Sequence, residues 1–450
     1  LMFCLTLLVG CAAWNKPINQ PLQGANDSLV EVTPESIGSG ELYVGLAFSG
    51  GGMRASAFAY GMLQELQAQA ALTGTKDGLL DNVRLVSGVS GGSVTAAQFG
   101  LWGPRGLDGY RERYLITNAE KYMANSALNP LTLVKGLSGG ANGRNTFARY
   151  LDEVLYRKAT FGDLRARSKI KTWINATDMA DNTPFLFSPE TFDALCSDLS
   201  KMPISEAVAA SAAFPLVFSP VVLQAHQGKC DYHEPDWLTA ARNNPEATSA
   251  MKAQARALES YGNPDQVKFV KLLDGGITDN FGTTGLAVER ARAQAPFAPM
   301  TPEEAVRMKR MLFLVANAGV EADYNWTQKV QGPGGIGLGM SIATASMSAA
   351  TRSGYDAMRG ELRLWESELI EWRCGLPSSE VRRLRGTLTG WDCRDLKMFI
   401  GQVSFEGVSP GMRAELNKVP TRLRLKTAEV DLVIEAGRLF LKLPHRGSTH

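Results

Sequence analysis

The apolar positions of the chain fall into short, nearly continuous runs separated by stretches with a helical repeat. Residues 43–48, 83–87, 171–176, 268–273 and 311–316 are such runs, each with few polar interruptions. A strand covered on both faces has no polar side to show, so these runs predict strands of a parallel sheet sandwiched between helices. Residues 55–70 place Phe58, Met62 and Leu66 at four-residue spacing, one face of a helix. Residues 93–99 are compatible with a helix, and residues 428–441 read as a closing amphipathic helix. Short runs around Met398 and Val403 extend the sheet. Strands alternating with helices predict an α/β fold of three layers, α/β/α, with a mainly parallel central sheet.

Two stretches break the alternation. Residues 223–266 read as an insert holding an amphipathic helix over 245–261, with Met251, Ala255 and Leu258 on one side. The glycine-rich stretch 331–339 reads as a flexible loop, followed by small residues through Ala350. Each stretch is either surface packing or a lid. The expected layout is a signal remnant over 1–11, a polar linker over 12–40, a catalytic domain over 41–320 carrying the insert, and a C-terminal extension over 321–450 packed on that domain.

Composition narrows the partners. With 450 residues, 44% hydrophobic and 20% charged, the chain can bury a large core. A net charge of +2 excludes a dedicated nucleic-acid binder, and Arg382-Arg383-Leu384-Arg385 reads as a solvated helix face. The apolar run 3–10 is too short to span a bilayer but fits the end of a secretory signal. Leu8-Val9-Gly10-Cys11 resembles the lipobox of bacterial lipoproteins, in which Cys11 is acylated, and Ala12 after it favours the outer membrane. The expected location is the bacterial cell envelope, lipid-anchored to the outer membrane and facing the periplasm. Cys196, Cys230, Cys374 and Cys393 then remain, an even number that suggests two disulfides in an oxidising compartment. Pairing neighbours is the simplest of the three connectivities; four reduced thiols in a cytosolic protein is the alternative.

Candidate chemistry centres on Ser90. It lies in Gly88-Val89-Ser90-Gly91-Gly92, directly after one apolar run and before a helix, the layout of a nucleophile on a sharp turn. Gly50-Gly51-Gly52 follows the run 43–48, and Asp274-Gly275-Gly276 follows the run 268–273. Together they supply a nucleophile, backbone N–H donors for an oxyanion, and a carboxylate base.

With Gly50-Gly51-Gly52-Met53-Arg54, the Ser90 turn and Asp274-Gly275-Gly276 in that order, the chain resembles the patatin-like phospholipases. Ala209-Ala210-Ser211-Ala212-Ala213-Phe214-Pro215-Leu216-Val217-Phe218 and Asn175-Ala176-Thr177-Asp178 are similar to further family segments. The likeness covers residues 42–320 and departs at Ala55, where glycine is common, and in the insert 223–266. It implies a Ser–Asp dyad: Ser90 attacks an ester and Asp274 takes its proton. Gly51 and Gly52, with Gly50, form the oxyanion loop. Arg54 braces that loop, and Gly88, Gly92, Gly275 and Gly276 support the turns. The implied substrate is a membrane phospholipid or other acyl lipid, in a phospholipase A or lysophospholipase reaction that needs neither metal nor cofactor.

Other readings remain open. An α/β-hydrolase esterase would use a histidine base in the order Ser90, Asp274, His445, but His445 and His450 lie in a polar tail and His226 and His233 in the insert. Gly50-x-Gly52-x-x-Ala55 with Asp77 or Asp81 loosely fits a dinucleotide fingerprint, which leaves Ser90 and Asp274 without a role. His226, Cys230, His233 and Asp236 are too irregularly spaced for a metal centre. A non-catalytic lipid-binding protein on the same fold would have no need of the serine, the glycines and the aspartate together.

Overall fold

The apolar runs are strands in a computed structural model that describes residues 16–23, 40–70, 74–122, 144–215, 217–293, 295–321, 325–328 and 330–441. The strands are β1 (Leu42–Phe48), β2 (Val83–Val89), β3 (Lys171–Asp178), β4 (Thr183–Leu186), β5 (Val221–Gln224), β6 (Phe269–Asp274), β7 (Arg310–Asn317) and β8 (Lys397–Ser404). They form one sheet in the order β5-β6-β3-β2-β1-β7-β8, with β4 paired to β3. From β3 through β8 the pairs are parallel. The pairs β3–β4, β3–β6 and β5–β6 are antiparallel, which the apolar runs alone do not signal. Residues 179–182 are too few for a crossover, so β4 must fold back on β3.

The helices that bear on the site are α1 (Gly52–Ala68), α2 (Gly91–Trp102), α3 (Ile204–Ser211), α4 (Asp236–Asn243), α5 (Ser249–Gly262), α6 (Ile336–Gly375) and α7 (Thr427–Arg438). On one face of the sheet Val44, Leu46 and Phe48 pack with Phe58, Met62 and Leu66 of α1 and Val430 and Val433 of α7. On the other, Ala47, Phe313 and Val315 pack with Met358, Leu362, Trp365 and Leu369 of α6. Each fully buried Leu or Phe contributes roughly 1.5–3 kcal/mol, so both layers hold the sheet firmly. The fold is three-layered α/β/α. Among the described residues no helix is long and apolar enough to cross a membrane.

The stretch 223–266 is packed into the core. It holds α4 and α5, which bury Leu238, Ala255, Leu258 and Tyr261. Tyr261 Oη donates to Asp178 Oδ2 at 2.8 Å. Cys196 is bonded to Cys230, and Cys374 at the end of α6 to Cys393. The stretch 331–339 is not wholly a loop: α6 begins at Ile336 and continues to Gly375. Gly337 and Gly339 hide its start, because glycine lowers helix propensity and large apolar side chains are few among the residues that follow. Cys11, His445 and His450 lie outside the described residues.

Candidate active site

Strand register brings the three turns together. Phe48 pairs with Gly88, Val89 with Asn175, and Ala176 with Asp274. The loops that leave β1 and β2 therefore open beside the end of β6. Ser90 sits between β2 and α2 with φ 51° and ψ −124°, a conformation costing a side-chain-bearing residue on the order of 1–3 kcal/mol. Its surroundings enforce it. Ser90 N–H donates to Ser211 Oγ at 2.8 Å, and the Ser211 hydroxyl donates onward to Asn175 O at 2.6 Å. Ser93 Oγ donates to Ser90 O at 2.5 Å. The flanking glycines serve close approach: a Cβ at Gly92 would lie 2.5 Å from Phe48 O, and one at Gly88 2.6 Å from Ser93 Cα. Gly275 lies equally tight, against the backbone of Asn175.

Asp274 is buried and ends β6. Burial outweighs the lowering pull of the Ser90 side chain and the Gly276 N–H and leaves its carboxyl at about 6, above the ordinary 3.8. The Gly276 bond is 2.9 Å. Thr177 Oγ1 donates to Asp274 O at 2.8 Å and fixes the strand end. Ser90 is thus among the groups that lower the carboxyl against its burial.

The glycine loop differs in part from its sequence reading. Gly50 N–H donates to Asn280 Oδ1 at 3.1 Å, so it is engaged and does not face an oxyanion. Gly51 and Gly52 have φ of 139° and 60°, the region that favours glycine. A Cβ at Gly52 would also lie 2.6 Å from Arg422 O. Among the described residues no hydrogen bond engages the N–H of Gly51 or Gly52. Both stand at the N-terminal end of α1, where unpaired N–H groups and the helix dipole favour negative charge.

Arg54 is buried and braces the chain from behind. Its Nε donates to Ala318 O at 2.9 Å and its Nη1 to Val419 O at 2.6 Å. Burial pushes the guanidinium down to about 10. His226 follows β5 and donates its backbone N–H to Leu195 O, whereas His233 is exposed beside Asp231 at 3.2 Å. Cys230 lies in a disulfide and offers no thiolate to the irregular His226, His233 and Asp236 set. Asp77 accepts from Gln67 Nε2 at 2.9 Å.

Three residues near the site escaped sequence reading: Ser211, Asn280 and Met347. Ser211 lies in the segment 209–218, where no spacing marks its role. Asn280 had only the weak signal of a polar residue soon after Asp274-Gly275-Gly276. Met347 lies on the part of α6 that read as small residues.

No curated protein matches the chain. Among solved structures it is similar to human GIVD cytosolic phospholipase A2, with 14% identity and a TM-score of 0.37, over 88% of this chain and 60% of that one. It is also similar to VipD from Legionella pneumophila, with 13% identity and a TM-score of 0.29, over 96% of this chain and 72% of that one. The chain thus spans 60% of the length of the human protein. A family model, patatin-like phospholipase, matches residues 46–287, more than half of the chain. That span runs from within β1 past Asp274, and by it the chain belongs to the patatin-like phospholipase family.

Proposed function

We propose that the chain is a lipid acyl hydrolase of phospholipase A or lysophospholipase type, working through a Ser90–Asp274 dyad. One observation carries the reading: a buried carboxyl at the end of β6, raised to about 6 by its burial, is brought by the strand register beside a serine on a strained turn. A base with a pKa near the working pH combines ionisation with proton affinity. Ser90 Oγ attacks the ester carbonyl as Asp274 takes its proton. The oxyanion gathers at the N–H groups of Gly51 and Gly52. Collapse expels the alcohol, which leaves with the proton held by Asp274, and the acyl group stays on Ser90. Asp274 then draws a proton from water, which attacks the acyl-enzyme; collapse breaks the bond to Ser90 Oγ, which takes that proton back from Asp274 as the fatty acid leaves.

A fluorophosphonate probe and a panel of phospholipids, lysophospholipids and simple esters test this. Ser90→Ala should lose labelling and hydrolysis together, and Asp274→Asn should lose about 10²–10⁴-fold in rate. Hydrolysis that survives Ser90→Ala refutes the dyad. Family membership supports the lipid substrate, and the glycines, serine and aspartate support catalysis over mere lipid binding.

The same reading extends to location. An acylated Cys11 would hold the enzyme at the outer membrane beside its substrate, and two disulfides suit an exported domain. Mass spectrometry of the mature N-terminus should find di- or triacylated Cys11; an unmodified start elsewhere removes the anchor.

A further inference from the structure

The nucleophile is covered. Ser90 is 7% exposed and Asp274 1%, yet an acyl ester must reach both. The N-terminal half of α6 lies against the glycine turns beside both residues. The Met347 methyl, Cε, lies over the dyad's glycines: a Cβ at Gly276 would be 2.6 Å from it. A Cβ at Gly50 would be 3.5 Å from it and 3.3 Å from Ser90 Cβ. Two polar contacts hold this stretch down. Ser346 Oγ donates to Ile277 O at 3.0 Å, and Asn280 Nδ2 donates to Thr351 Oγ1 at 2.9 Å. Asn280 is the residue that also receives Gly50 N–H, so α6 and the glycine loop share one side chain.

The outside of this half-helix is unlike a solvated surface. No Asp, Glu, Lys or Arg occurs from 330 to 351. Leu338 is 49% exposed and Ile342 63%, and Ala345 and Ala349 are exposed as well. These positions fall at helical spacing and share one face. Leu338 and Met347 are separated by about two and a half turns, so they point to opposite sides. Met347 faces the dyad while Leu338 and Ile342 face out. Further along, Met358, Leu362 and Trp365 anchor the helix in the core. Its first half has no such anchor.

We propose that the first half of α6 is a lipid-docking lid. Its Leu338–Ile342 face enters the surface of a phospholipid bilayer, and that movement lifts Met347 away from Ser90. The inference rests on the acyl-lipid reading of the site. A bilayer is the favoured occupant because the face is apolar, carries no charge that insertion would have to desolvate, and belongs to the helix whose Met347 packs on the glycine turns beside the nucleophile. Interfacial helices of this kind lie in the membrane plane without spanning it.

Full-length protein with Leu338→Asp and Ile342→Asp together, on an exposed face that folding does not need, tests the lid. Phosphatidylcholine vesicles and a monomeric short-chain ester are the substrates. The double variant should lose about tenfold or more in vesicle hydrolysis with its turnover of the soluble ester unchanged. Met347→Ala should raise soluble-ester turnover several-fold. Vesicle co-sedimentation of Ser90→Ala, with and without the double substitution, reads docking apart from chemistry and should fall about tenfold. Vesicle hydrolysis and binding that survive the two aspartates overturn the lid, as does a wild-type dimer that they dissociate without changing vesicle binding. Failure of the catalytic reading looks different: soluble-ester hydrolysis is then absent or independent of Ser90.

Discussion

Replacing Asp274 by Asn should stabilise the folded protein while removing its activity. Burial raises the carboxyl from 3.8 to about 6, so the fold holds the ionised form less well than the unfolded chain does. At 1.36 kcal/mol per unit, the ionised side chain opposes folding by about 3 kcal/mol once the pH exceeds the folded value. The sign follows from a folded pKa above the unfolded one. The penalty is complete above about pH 6, is relieved as pH falls through the folded value, and is gone below 3.8. At pH 5 the native carboxyl is about nine-tenths protonated and the unfolded one about one-twentieth, which relieves roughly half of the penalty. Asparagine has the same shape, carries no charge, and its Oδ1 can still accept the Gly276 N–H. Urea unfolding of both proteins should therefore show the variant more stable by about 3 kcal/mol at pH 7.5 and by about half that at pH 5. Taking the difference at each pH removes the titration of other groups. A variant no more stable at pH 7.5, or a gain that does not change with pH, would refute the claim that Asp274 is a desolvated carboxylate.

In wild type, kcat/KM should fall about tenfold per pH unit below pH 6, because protonated Asp274 cannot accept the serine proton. A flat profile down to pH 5 would assign the base elsewhere. Gly52→Val forces a branched side chain into positive φ and against Arg422 O at 2.6 Å; it should cut kcat by about 10²–10³-fold with KM for a soluble ester little changed. Cys374→Ser with Cys393→Ser opens a bridge of sequence separation 19 and should lower stability by about 3 kcal/mol in urea titration, with Ser90 still labelled by fluorophosphonate.

What could be read in advance was what local chemistry dictates. Ser90 and Asp274 declare themselves because a nucleophile on a tight turn and a carboxylate at a strand end both need glycine neighbours, and glycine is visible in a sequence. The core on one face of the sheet was visible for a similar reason: Phe58, Met62 and Leu66 repeat with the helix that buries them. Direction was not visible. An apolar run such as β6 has the same appearance whether its partner is parallel or antiparallel, and only the short link between β3 and β4 forced part of the answer.

The residues that tie the site together were hidden because their partners are remote in sequence. Ser211 supports the Ser90 backbone, and Asn280 joins Gly50 to Thr351. Neither pair leaves a spacing to detect. Gly50 shows the consequence: three consecutive glycines read alike, yet Asn280 takes the N–H of the first. The start of α6 was hidden for a different reason. A helix announces itself through the period with which it meets a core, and none of residues 337–351 is fully buried. A segment that has to exchange a protein contact for another surface cannot carry a strong core period, since that would bind it shut. The weak pattern that made it read as a loop is therefore the property a lid over Ser90 requires.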